Sequence, residues 1–266
     1  MKRRVIAGCG LALAALLASA TPVSAKILKT RRSSQSQALD LTVGSGAEYE
    51  NDGEVMELGF PFLVDWGFAK RFKLTVEPQY TVINSSIVGE SASGLGDLET
   101  SLTWDFVSER RFRPLFSAVA LIKWPTAAGD IGTGETDYSL GGIVSKDFGN
   151  NCDLEFNVAY TFVGSPPDEK LKNSLEISLA TEWQMTARLA LEAEIATASG
   201  GVRGQAGTIG GIGTGTGGGG GRETEATIGL AENLTHRFKL EEGVVVKADG
   251  GWQVVLAWEF DFGEGR

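Results

Sequence analysis

Cysteine, histidine and basic residues are all scarce in this 266-residue chain, and each scarcity removes a class of function. There are two cysteines, Cys9 and Cys152, and Cys9 lies in an amino-terminal segment that reads as removable. With Cys152 alone in the remainder, no intramolecular disulfide can hold the fold. His236 is the only histidine. No His/Cys cluster has metal-ligand spacing, and the carboxylates show no EF-hand period, so neither a metal nor a cofactor is expected. Lys and Arg number 24 against 34 Asp and Glu. Nucleic acid is therefore not an expected partner, because phosphate recognition needs a basic face. Beyond the first residues there is no uninterrupted apolar stretch long enough for a spanning helix.

That first stretch reads as an export signal. Lys2, Arg3 and Arg4 precede an uncharged apolar run to about Ala20, and Val23-Ser24-Ala25 places small residues where a signal peptidase cuts. Cleavage after Ala25 is expected, rather than retention as an anchor, for which the run is short. Ile6-Ala7-Gly8-Cys9 resembles a lipoprotein box but precedes the apolar region instead of following it, so lipidation at Cys9 is not expected. Removing residues 1–25 leaves 21 bases against 34 acids, a net charge near −13. Residues 26–37, KILKTRRSSQSQ, are polar and unpatterned and read as a periplasmic lead.

From residue 38 to residue 262 the dominant period is two. Leu154, Phe156, Val158, Tyr160 and Phe162 alternate with Asp153, Glu155, Asn157, Ala159 and Thr161. Such alternation predicts a strand with one apolar and one polar face. Twelve segments of this kind are predicted, near 38–49, 54–66, 71–83, 95–107, 114–125, 136–147, 152–163, 171–184, 187–198, 223–234, 237–247 and 251–262. Two are less regular: 114–125 is apolar on both faces, and Glu242 falls on the apolar phase of its strand, which implies a bulge or a different register. Connections after the even-numbered segments are short. Those after the third, fifth, seventh and ninth are longer, at 84–94, 126–135, 164–170 and 199–222. Alternating short turns and long loops predict an up-and-down antiparallel barrel, with both termini on the periplasmic side. Residues 263–266 are left as a tail.

A soluble sandwich or barrel would alternate too, with its apolar face inside. Three features place lipid outside instead. Charges crowd the polar phase. Aromatics (Trp66, Phe72, Trp104, Phe106, Trp124, Trp183, Phe262) end the apolar phase, where interfacial girdles lie. Closure through consecutive hairpins satisfies the backbone in hydrocarbon. The fold class expected is thus all-β, a transmembrane barrel of about twelve strands in the outer membrane. Its last strand, with Trp252, Val254, Trp258, Phe260 and Phe262 on one face, suits outer-membrane assembly machinery. Lipid, that machinery and a small solute are the expected partners.

A resemblance covers roughly residues 94–164. Its residues are Gly94-Leu95-Gly96-Asp97, Lys123-Trp124-Pro125-Thr126 with Gly129-Asp130, and Gly132-Thr133-Gly134. Asp137-Tyr138-Ser139-Leu140-Gly141, Ser145-Lys146-Asp147 and Tyr160-Thr161-Phe162-Val163-Gly164 complete it. This stretch resembles the outer-membrane family of phenol-degradation meta-pathway proteins, a set of transporter-like porins. Ala127-Ala128 departs from that family, which more often runs from Pro-Thr straight into Gly-Asp. The resemblance implies a barrel and, loosely, uptake of hydrophobic or aromatic compounds. It brings no catalytic residues.

The candidate pore-lining residues are Glu99, Asp105, Lys123, Asp137, Glu155, Glu176, Glu192 and Glu194, all on the polar phase. Lys123 and Asp137 share that phase on neighbouring strands, and either pair across the ladder or line a constriction. Gly213-x-Gly215-x-x-Gly218 has the spacing of a dinucleotide fingerprint, but no βαβ unit surrounds it, so an external loop is expected. His236 falls in a predicted periplasmic turn, away from the outer face where barrel hydrolases work, so no catalytic residue is assigned. The expected function is a porin-like channel for small solutes with a cation-preferring lumen. The alternatives are a closed structural barrel with partner-binding loops and, less favoured, a membrane-embedded hydrolase.

Overall fold

The computed structural model describes residues 40–51, 55–85, 91–127, 131–132, 134–149, 151–166, 171–199 and 222–263. The segments read as signal and lead, the tail beyond Gly263 and the glycine-rich run 200–221 with its fingerprint lie outside these. The described residues form strands and connections without a helix. In chain order the strands are β1 (Leu41–Asn51), β2 (Val55–Ala69), β3 (Phe72–Glu77), β4 (Gln79–Ser85), β5 (Ser91–Leu95), β6 (Leu98–Val107) and β7 (Leu115–Trp124). There follow β8 (Asp137–Asp147), β9 (Cys152–Phe162), β10 (Ser174–Gln184), β11 (Leu189–Ser199), β12 (Arg222–Asn233), β13 (Phe238–Lys247) and β14 (Trp252–Asp261). Neighbours pair antiparallel, and β1 pairs with both β2 and β14, so the sheet closes on itself.

Fourteen strands make twelve staves. β3 and β4 both pair with β2 and are separated by Pro78 alone, while β5 and β6 are separated by Gly96-Asp97. The two breaks are adjacent. Pro78 has no N–H to give to the ladder, and between the pairs Glu77↔Glu99 and Tyr80↔Leu95 two residues face three. That extra residue is a bulge, and it flips the phase of the fourth stave. Leu95 therefore points outward, 61 % exposed, where alternation continued back from Glu99 would turn it inward. The fourth stave also begins earlier than predicted. β5 reclaims residues 91–94 from the expected loop 84–94, leaving 86–90 between β4 and β5.

Glu242 needs neither the bulge nor the altered register expected for it. β13 pairs without a shift on both sides, and Glu242, opposite Leu230 and Leu256, lies exposed on the outer face midway along the strand.

The two faces are unambiguous. Along β10, Ser174, Glu176, Ser178 and Ala180 are buried while Leu175, Leu179 and Trp183 are exposed. In a soluble barrel this would be inverted; apolar residues outside and carboxylates inside belong to a barrel bathed in lipid. Aromatic rings collect at both ends of the outer face. At the end that holds the termini, Trp66, Phe68, Phe72, Trp104, Phe106 and Phe116 form one chain of ring neighbours, with centroids 5.7–6.3 Å apart. At the other end Tyr49 meets Trp252 at 5.5 Å and Tyr160 meets Phe162 at 5.0 Å. Trp and Tyr suit such positions because an apolar body meets hydrocarbon and a polar N–H or O–H meets water, and Phe adds apolar surface beside them.

Candidate functional site

Every inward side chain is contributed by a period-two position, so the lumen inherits the polar phase of twelve staves. All eight candidate lining residues lie there and are buried. Among the described residues, twelve carboxylate side chains are buried against a single lysine, Lys123.

The candidates fall into separate groups. At the outer end, Glu99, Lys123 and Asp137 are successive register partners across β6, β7 and β8. Lys123 Nζ lies 2.5 Å from Asp137 Oδ2 and 3.6 Å from Asp97 Oδ2. Asp97, at the bulge, was not among the candidates, although it shares the inward phase of Glu99 two residues on. The cluster also holds the outer connections. Asp97 Oδ1 accepts from Ala127 N–H at 2.9 Å, and Asp137 Oδ1 accepts from Gly164 N–H at 2.8 Å. A Cβ on Gly132 would meet Ala127 Cβ at 2.5 Å, and one on Gly164 would meet the Thr136 carbonyl at 2.6 Å. Trp124 Nε1–H donates to Thr100 Oγ1 at 2.9 Å. Residues from five of the quoted motif segments thus meet at one point of the outer rim.

Toward the opposite end, Lys239 of β13 is a hub. Its Nζ lies 3.1 Å from Glu192 Oε1, 3.3 Å from Glu182 Oε2 and 2.6 Å from Glu241 Oε1. Glu182 stands on β10, three staves away along the wall, so this lysine bridges a quarter of the barrel's circumference. Lys73 pairs with Asp65 at 3.1 Å, Thr75 Oγ1–H donates to the same carboxylate, and Ser117 donates to Asp105 at 2.6 Å. Lys247 pairs with Glu50. Glu155, Glu176 and Glu194 line the sector of β9, β10 and β11, where alanines alternate with them: Glu155 and Glu194 both face Ala180, and Glu176 faces Ala159. Large beside small is how a narrow lumen accommodates carboxylates in adjacent staves. The lysine hub had no sequence signal, because two of its three partners, Glu182 and Glu192, come from β10 and β11, some fifty residues before it in the chain.

One sector is apolar. The strand predicted to be apolar on both faces, β7, turns Leu115, Val119 and Leu121 inward, and Val119 packs with Ile143 and Ala159. Arg188 and Asp261 lie exposed at the rim because each stands at or beyond a strand end. His236 is exposed in the turn between β12 and β13.

No protein-family model matches the chain and no curated protein does. In three dimensions it is similar to an outer-membrane channel from Pseudomonas putida F1, with TM-score 0.64 and 12 % identity over 87 % of this chain and 99 % of that one. The KdgM porin in complex with disordered oligogalacturonate aligns with TM-score 0.54 and 9 % identity, over 84 % of this chain and 99 % of that one. For the NanC porin the values are 0.54 and 8 %, over 83 % and 98 %. The shared feature is the fold, a barrel of the outer-membrane type.

Proposed function

We propose that the protein is a narrow outer-membrane channel that passes small solutes and prefers cations. The observation behind this reading is the imbalance of twelve buried carboxylates to one buried lysine on the inward face. Inside low-dielectric walls such an excess concentrates cations and repels anions, even after the lysines have neutralised some of it. The apolar strip of Val119, Ile143 and Ala159 gives a small organic solute with an apolar body one wall to slide along. This agrees with the cargo class implied by the resemblance of residues 94–164 to the phenol-degradation meta-pathway family. The test is the reversal potential of the refolded protein in a planar bilayer under a KCl gradient. Cation preference at neutral pH, weakening as the solution is acidified through the carboxylate range, is the expected result; anion preference overturns it.

A second reading has its own support. Glu192 is fully buried and Lys239 bridges three staves of the inner wall to Glu182, so side chains fill this part of the lumen as in a non-conducting barrel. Twelve staves stand between small barrels filled by side chains and open porins. Bilayers containing folded protein but no unitary conductance steps would favour this second reading.

A further inference from the structure

Charge is distributed unequally between the two ends of the barrel. The short connections on the side of the termini (70–71, 108–114, 148–151, 185–188 and 234–237) carry seven Lys or Arg residues and one acid. Among the described residues, the connections at the other end (125–127, 131–132, 134–136, 163–166, 171–173 and 248–251) carry one base, Lys172, against two acids, Glu135 and Asp249. A chain this acidic overall has gathered most of the exposed bases of its described connections at one rim. Four of the five basic-end connections also present an exposed apolar residue: Phe112, Phe148, Met185 and Leu234.

The turn between β6 and β7 is the densest part of this rim. Arg110 and Arg113 exchange backbone hydrogen bonds at 2.9 and 3.1 Å, leaving Arg111 and Phe112 at the tip. Phe112 is 85 % exposed, and the Arg111 guanidinium lies 5.0 Å over its ring. Arg113 is anchored, donating through Nε and Nη2 to the Ser108 carbonyl. The nearby acid, Glu109, is engaged by Lys146 and by the Asp147 N–H. Arg110 and Arg111 form no ion pair with a described residue, and both are exposed. The turn continues directly from the aromatic girdle, since Phe106 and Phe116 just inside it have centroids 6.3 Å apart.

We infer that Arg110, Arg111 and Phe112 form a binding site for the headgroup of an anionic phospholipid in the leaflet at this rim. The aromatic tip enters the interface beside the girdle while two guanidiniums that form no ion pair with a described residue meet phosphate oxygens, the acceptor geometry that arginine suits best. The inference uses the barrel's placement in a membrane but not its conduction, so its failure leaves the channel reading intact.

The experiment compares refolded wild type, R110Q/R111Q and K170Q/K172Q, which removes the same charge from an outer connection. Each is extracted from vesicles of phosphatidylcholine mixed with phosphatidylglycerol, and retained lipid is counted by native mass spectrometry. Wild type and K170Q/K172Q are expected to retain phosphatidylglycerol selectively. R110Q/R111Q is expected to bind it about fivefold more weakly for each arginine lost. Heat-modified gel migration, unchanged in R110Q/R111Q, checks that the variant is folded. Equal retention by wild type and R110Q/R111Q overturns the site. So does full displacement by inorganic phosphate, which marks a phosphate site, or binding of an acidic peptide without phosphatidylglycerol retention.

Discussion

The lysines of the lumen hold its carboxylates in place, and Lys239 does so for three at once. Removing one partner of a buried ionic cluster leaves the others uncompensated. Lys239→Met is accordingly expected to destabilise the barrel by about 3–5 kcal/mol, read from urea unfolding in lipid vesicles. On the outer face the sign reverses. Glu242 stands midway along β13 between Leu230 and Leu256, where a carboxylate faces hydrocarbon. Glu242→Leu is expected to stabilise by roughly 1 kcal/mol in the same assay, somewhat less than the cost of a base at that depth. A destabilised Glu242→Leu variant would mean that this carboxylate meets a partner from outside the chain.

Within a strand, the face a residue occupies outweighs its chemical type. Ile177→Arg on β10 is expected to lose about 2–4 kcal/mol and folding yield, because it drives a guanidinium into the apolar layer. Ser178→Lys, one residue on, turns toward the lumen beside Glu176 and should fold in nearly normal yield; equal losses for the two variants would contradict the register of β10. Most of this was legible in the chain. The alternation of β8 to β14 mapped onto staves within a few residues, since each is an unbroken ladder whose sole demand is period two. Inwardness of the eight candidates followed from the same rule. What could not be read is where the rule breaks. Pro78 was visible, yet the extra residue at Gly96-Asp97 follows from how two neighbouring staves meet, and only that bulge turns Leu95 out. The Lys239 hub was hidden for a related reason. Pairing across three staves depends on barrel width and curvature, which no local pattern encodes.

At the scale of the whole molecule, closure is the condition for everything else. Deleting residues 252–266 removes β14 and leaves the facing edges of β1 and β13 with unpaired backbone groups in hydrocarbon, each costing several kcal/mol. No folded, heat-modifiable species is expected on gels after that deletion; a compact band would show that β1 can close directly on β13.

The seam between β1 and β14 joins the two ends of the chain through ten residue pairs, Thr42↔Asp261 to Asn51↔Trp252. Every other adjacency joins staves that follow one another in the chain, whereas this one joins the first to the last and has no connection to guide it. Assembly must therefore wait for the carboxy-terminal strand. Once the seam is made, it cannot be opened at one point without stranding its neighbours, so escape proceeds through a high-energy, partly unzipped ring. The barrel's lifetime should consequently be set by a rate rather than by an equilibrium. Unfolding and refolding curves should show hysteresis, with the gap between them narrowing as the seam is shortened.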